Sequence, residues 1–173
     1  MFGIRRRKAT QTAIEALQPM VSVIERTRGI PDGFWKDPYV LGFFSGGIGV
    51  FAKLASNGKI KGTELGRVLI DSLDSLSQGQ GNQITRSIVE FQQSRNLDFL
   101  KGVGNADKII SVAYGFSGYE DDPDIIEAKK RTKLTNSSMD ALLGPTSETA
   151  ALGGQLQMML FYDVVNDRFQ DHH

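Results

Sequence analysis

The acids at Glu120, Asp121, Asp122 and Asp124, gathered around Pro123, and the pair Asn57 and Glu64, set either side of Gly58 and Ile60, are where side chains of this sequence could hold a hard cation. Gly58, Ile60 and Glu64 take the turn, packing and chelating positions of a twelve-residue calcium loop. Lys53 and Ala55 stand where its acidic ligands belong, which leaves Asn57 and Glu64 as the side-chain donors, too few for strong calcium binding. The acidic cluster lacks alternate ligands and a turn glycine. It reads instead as a helix start with Asp122 as cap and Pro123 first, and Lys129, Lys130, Arg131 and Lys133 two turns later suit the helix dipole. Cysteine is absent, and the two histidines are His172 and His173, the last residues. Disulfides, thiol catalysis and thiolate metal sites are therefore excluded, and an enzyme would have to work with carboxylates, lysine, tyrosine or serine. No G-K-[ST] occurs, and G-F-F-S-G-G-I-G lacks a preceding strand, so nucleotide loops are absent as well. No catalytic residue, metal site or cofactor is expected.

Candidate binding residues are of two kinds. Phe34 and Trp35, the latter the single tryptophan, follow the turn Pro31-Asp32-Gly33 and precede Pro38. They either plug the base of the core or present an aromatic anchor to a partner, and the usual burial of large aromatics favours the plug. Arg5, Arg6 and Arg7, with Lys8, form a basic arm over residues 1–8. It reads as a solvated tail able to touch phosphates or lipid headgroups. Glu15 and the lack of an apolar run exclude a secretory signal in the opening stretch.

The elements that position these residues are helical. From Pro38 to Ala55 the chain is uncharged up to Lys53 and laced with glycine. At 100° per residue Gly42, Ser45, Gly46, Gly49, Ala52 and Ser56 share one face, and Phe43, Phe44, Ile48, Val50, Phe51 and Leu54 the other. Interior helical glycine costs close to ~1 kcal/mol relative to alanine, so a second backbone must cross the small face. The Gly42/Gly46 spacing also joins membrane helices, but the charge-free run falls short of the roughly 20 residues a bilayer needs. Before it, a helix from Ala9 to Arg28 buries Ala13, Leu17, Met20, Val21 and Ile24, with Pro19 on the far side kinking it. After it, Asn57-Gly58 stops the helix and Thr63 caps one whose inner face is Leu65, Val68, Leu69, Leu73 and Leu76. A flexible Q-G-Q-G connection leads to a helix opened by Asn82 with Ile84, Ile88 and Phe91 inside. A break near Asn96, a short apolar piece, Gly102 and Gly104 precede a helix through Ala106, Ile109, Ile110, Ala113 and Phe116 that ends at Gly118. A short helix follows up to Gly144-Pro145, and a long one from Thr146 to Phe169 completes the chain, with Gly153-Gly154 where another helix crosses.

The segment A-S-N-G-K-I-K-G-T-E-L, Ala55 to Leu65, resembles the helix-loop-helix signature of tellurite-resistance-type (TerB-like) domains, with Asn57 in place of the aspartate and Ser56 inserted after Ala55. That resemblance implies an all-helical bacterial domain of stress-response and membrane-associated assemblies, sensing metal in a degenerate form. G-V-G-N-A-D-K at Gly102 to Lys108, with Ala113-Tyr114-Gly115, Tyr119 and Pro31-Asp32, is similar to the ubiquinol-cytochrome c chaperone family, which implies respiratory-complex assembly.

The expected architecture is all-α, a single-domain irregular bundle of seven or eight helices around Pro38–Ala55, with a tail over 1–8 and one domain over 9–170. The balanced charge, +0 from 20 basic and 20 acidic residues, supplies no global field for nucleic acid. The functional expectation is a non-enzymatic cytoplasmic adaptor, scaffold or assembly factor. Its partner is another protein or a second copy, and the basic arm is open to peripheral contact with membrane or phosphate.

Overall fold

A computed structural model describes residues 2–116, 118–119, 121–132 and 148–170. Among them it is all-α, with seven helices and no strand. These are α1 (Phe2–Arg28), α2 (Pro38–Ser56), α3 (Gly62–Leu76), α4 (Gly81–Gln93), α5 (Leu97–Ala113), α6 (123–132) and α7. The last runs Glu148–Gln157, passes through a π-helical stretch Met158–Tyr162 and continues as Asp163–Phe169. By their contacts the residues divide into two compact units, Met1–Ala106 and Asp107–His173. The boundary falls inside α5. The expected short helix, the Gly144-Pro145 stop, Lys133, Glu120, His172 and His173 lie outside the described residues.

In the first unit α2 is central and meets α1, α3, α4 and α5. Pro38 is the first helical residue, as the sequence suggests, and the structure adds a cap, the Asp37 carboxylate accepting the Val40 amide at 3.0 Å. Its end is the left-handed Asn57 (φ 51°), after which Gly58 donates back to the Lys53 carbonyl at 2.8 Å. Tyr39, Phe43, Phe44, Ile48 and Phe51 are buried against the neighbouring helices. α2 is also the one described helix long and apolar enough to cross a membrane, yet 61% of that window is buried inside the protein, as in a core helix.

The second backbone demanded by the glycines is α5. A side chain at Gly42 would collide with the Phe99 carbonyl, and one at Gly46 would stand 3.0 Å from the Val103 backbone. One at Gly102 would collide with the Tyr39 carbonyl. Gly42 and Gly46 on α2 thus interlock with Gly102 and Ala106 on α5, where the Ala106 methyl meets Gly46. Gly102 therefore lies inside a helix, not ahead of one, and the expected break between Leu100 and Ala106 is absent. The break expected near Asn96 is present: Arg95 is left-handed (φ 50°), and Asn96 caps α5 through the Phe99 amide at 3.0 Å. α5 stops at Gly115 (φ 71°), three residues before the expected Gly118, because the Phe116 amide returns to the Ser111 carbonyl at 2.8 Å. Phe116 consequently lies outside the helix, 49% exposed.

Three further boundaries move. Residues 2–8, read as a tail, are the opening turns of α1, because Arg, Lys and Ala are good helix formers continuous with the amphipathic stretch behind them. Lys61, not Thr63, precedes α3, with no side-chain cap. Gly81 opens α4, one residue before Asn82. In the second unit Ile109, Ile110, Val112, Ile125, Ala128, Leu152, Leu156, Leu160, Phe161 and Val165 are buried. Gly153 lets α7 approach the end of α5, since a side chain there would stand 3.1 Å from the Ala113 methyl. Gly154 is exposed.

Candidate binding cleft

Trp35 sits in a short 3-10 turn, Phe34–Lys36, that only the chain reversal before it makes possible. Gly33 takes φ 80°, the Phe34 amide donates to the Pro31 carbonyl at 3.1 Å, and the Lys36 amide donates to Gly33 at 2.8 Å. The indole then meets the Phe34 ring edge-on at 4.9 Å and the Phe44 ring of α2 at 5.1 Å. Phe34 is fully buried and Trp35 is 9% exposed. The rings plug the core. As a protruding aromatic anchor, the alternative reading, both are corrected: α2 supplies Phe44 just where the turn delivers them.

The remaining edge of Trp35 lines a cleft of about 530 Å³. One wall is the face of α1 bearing Gln18, Val21 and Glu25, continued by Gly29 and Ile30. The other is the end of α3 and the turn behind it: Ser75, Leu76, Ser77, Gln78 and Gln80. That turn is the Q-G-Q-G segment, and it is pinned, not a loose connection. The Ser77 hydroxyl donates to the Leu73 carbonyl at 2.6 Å and accepts the Gln80 amide at 3.2 Å. The Gly79 amide reaches the Asp74 carbonyl at 2.8 Å, and the Asp74 carboxylate accepts the Gly81 amide at 3.1 Å. Gln78 and Gly79 are both left-handed (φ 56° and 101°), and a side chain on Gly81 would stand 2.6 Å from the Ile70 carbonyl. Such a wall holds its shape. Val21, Leu76 and the indole offer apolar surface, the glutamine amides and Ser75 can each donate and accept hydrogen bonds, and Glu25 is the single ionisable side chain in the lining.

The arginines lie elsewhere. Arg6 and Gln18 are twelve positions apart on α1, about 18 Å along its axis at ~1.5 Å per residue, so the arginines form no common site with Trp35. Arg6 turns inward to Asp71 of α3 at 3.8 Å, while Arg5 and Arg7 are exposed.

The acids expected to cap α6 do so, and more. Asp122 accepts the Asp124 amide at 2.9 Å, and its carboxylate takes the Lys108 ammonium at 2.8 Å. Asp124 takes the same ammonium at 2.6 Å. Burial pulls Lys108 towards neutrality, but the hydrogen bonds and charges of the two aspartates outweigh it and hold the ammonium above its ordinary range. Burial likewise pushes the Asp122 carboxyl up, and Lys108 and the Asp124 amide outweigh that and hold it down. Beside them the Tyr119 hydroxyl donates to Asp107 at 2.6 Å, and that bond, with burial, pushes its titration up to about 12. Each of these charges is already satisfied within the unit.

The Ala55–Leu65 turn is a simple reversal: Asn57 and Gly58 are left-handed, the Ser56 hydroxyl accepts the Ile60 amide at 3.2 Å, and Ile60 is buried. Among the described residues no three His, Cys, Asp or Glu side chains come together in the way a metal ion needs. Gly102, Asn105, Asp107 and Lys108 of the G-V-G-N-A-D-K segment are engaged in turn by Tyr39 of α2 (the first two), Tyr119 and the two aspartates.

The chain matches no protein-family model, no curated protein and no solved structure.

Of the cleft-lining residues, the sequence singled out Trp35 as a site candidate. Gln18, Glu25, Gln78 and Gln80 carry no periodic signal, being surface positions that converge only when α1 lies along α3. The one local hint was the Q-G-Q-G run itself, since Gly79 readily takes the left-handed conformation that it shares with Gln78 in this turn.

Proposed function

We propose that the protein is a non-enzymatic interaction module that holds a peptide segment of a partner protein in the Trp35 cleft. The observation that carries this reading is the composition of the cleft: the apolar side chains of Trp35, Val21 and Leu76 beside glutamine amides and serine hydroxyls. Amides that both donate and accept match the alternating N–H and C=O groups of an extended main chain, and an indole beside them supplies apolar contact area. Catalysis draws no support from the same residues. With no cysteine in the chain and no histidine before His172, the cleft has Glu25 alone for proton transfer. The proposed role is that of a cytoplasmic adaptor, scaffold or assembly factor.

Selection of a displayed random-peptide library on the protein tests this directly. Selected peptides should shift the emission of Trp35, the single tryptophan, and should lose at least about tenfold in affinity, ~1.4 kcal/mol, on Ser75→Phe, which fills the cleft. Peptides that bind Ser75→Phe unchanged, or a library that yields none, would remove the cleft as the docking site.

A further inference from the structure

α1 carries a second surface, unrelated to the cleft. Placed at 100° per residue, Arg7, Ile4, Lys8 and Arg5 fall within one arc of about 160°, with Ile4 and Lys8 between the two arginines. This arc lies opposite Ala9, Ala13 and Leu17, which are buried. Ile4 is 76% exposed, and Arg5, Arg7 and Lys8 are exposed around it. The fourth cation, Arg6, points to the other side and pairs with Asp71 at 3.8 Å, which leaves the arc facing out.

The charges on the arc have no acid within one turn of them on their own helix. No acid occurs in the chain before Glu15, and Glu15 accepts a hydrogen bond from Gln11 at 2.8 Å. Arg5 and Lys8 stand three residues apart, where like charges on a helix repel, and Arg7 and Lys8 find Gln11 and Thr12, not acids, one turn on. An isolated cationic face costs the helix stability, and an anionic surface reverses the sign. Among macromolecules whose surface is continuously anionic, two classes qualify: a bilayer containing anionic lipid and a nucleic acid. Ile4 decides between them. An aliphatic side chain in the middle of the cations gains by entering the headgroup and acyl boundary, and gains nothing from a phosphate backbone. The zero net charge also supplies no wider field for nucleic acid.

We propose that the Arg5, Arg7 and Lys8 face of α1 is a peripheral docking surface for an anionic lipid bilayer, with Ile4 as the inserting residue. The test is co-sedimentation of the full chain with phosphatidylcholine vesicles, with and without roughly one-third phosphatidylserine. Binding to the serine-containing vesicles only is expected, weakening with salt. Each of Arg5→Gln, Arg7→Gln and Lys8→Gln should lower partitioning about fivefold, and Ile4→Ser should lower it at unchanged charge. All four positions are exposed, so circular dichroism should report unchanged helix content. Failure to bind anionic vesicles overturns the proposal. So does binding that Ile4→Ser leaves untouched, or binding to polyuridylate that matches vesicle binding, which would assign the face to nucleic acid. Ser75→Phe should not alter vesicle binding, so the fate of the cleft and that of this surface are read separately.

Discussion

The hydroxyl of Tyr39 accepts a hydrogen bond from the Asn105 side chain at 2.8 Å, joining α2 to α5 inside the core of the first unit. Both residues are buried, at 1% and 7% exposure, so the bond is made where water cannot replace it. It stands one helical turn from Gly102, at the crossing where the two backbones are in contact. Tyr39→Phe should leave the Asn105 amide without this acceptor and cost about 1–3 kcal/mol, read as a lowered urea midpoint. A second change, Asn105→Leu, on that background should recover part of the loss, because an apolar pair needs no partner.

The crossing makes opposite predictions for glycines on one helix. Gly102→Ala drives a methyl into the Tyr39 carbonyl and should cost at least about 1–3 kcal/mol, since backbone cannot step aside as a side chain can. Gly104→Ala meets nothing within 4 Å and should stabilise by about 0.5–1 kcal/mol through helix propensity. Denaturation midpoints moving in the same direction for the two variants would contradict the close approach of α2 and α5.

The ionic cluster of the second unit makes its stability depend on pH at both ends. Asp122 titrates below its ordinary value in the folded state, so its contribution is complete above the ordinary carboxylate range and is lost as pH falls through the folded value. Lys108 titrates above its ordinary value, so its contribution is complete below that value and is lost as pH rises through the folded one. Tyr119 adds to the alkaline limb, because its neutral hydroxyl is favoured from the ordinary 10.0 up to about 12. Lys108→Met should return the Asp122 carboxyl towards or above its ordinary titration, followed by the carboxyl carbon resonance. Tyr119→Phe should delete the tyrosinate absorbance step near 12.

Trp35 reports on the cleft without labelling. At 9% exposure its emission should be quenched by iodide several-fold less than that of free indole. Unfolding in guanidinium should abolish that protection. Quenching in the native protein equal to that of free indole would show the ring to be outside the aromatic cluster with Phe34 and Phe44.

The sequence by itself determined the elements whose signals are local. The apolar positions of α1, from Ala13 to Ile24, repeat at helical spacing and are buried together. Pro38, Asn57 and Asp122 act through their own backbone geometry or a bond to a residue two or three positions away, so the ends of α2 and the start of α6 were legible. The glycine face of α2 even announced that another backbone must cross it. What it could not announce was which backbone. Gly102 reads locally as a helix breaker, and only contact with Tyr39 and Phe43 makes a glycine inside α5 favourable. The cleft was illegible for the same reason: Gln18, Gln78 and Gln80 are ordinary surface residues until α1 and α3 bring them around Trp35. Period and capping are written within a few consecutive residues, whereas the choice of neighbour is made by surfaces far apart in the chain, and tertiary structure alone decided it.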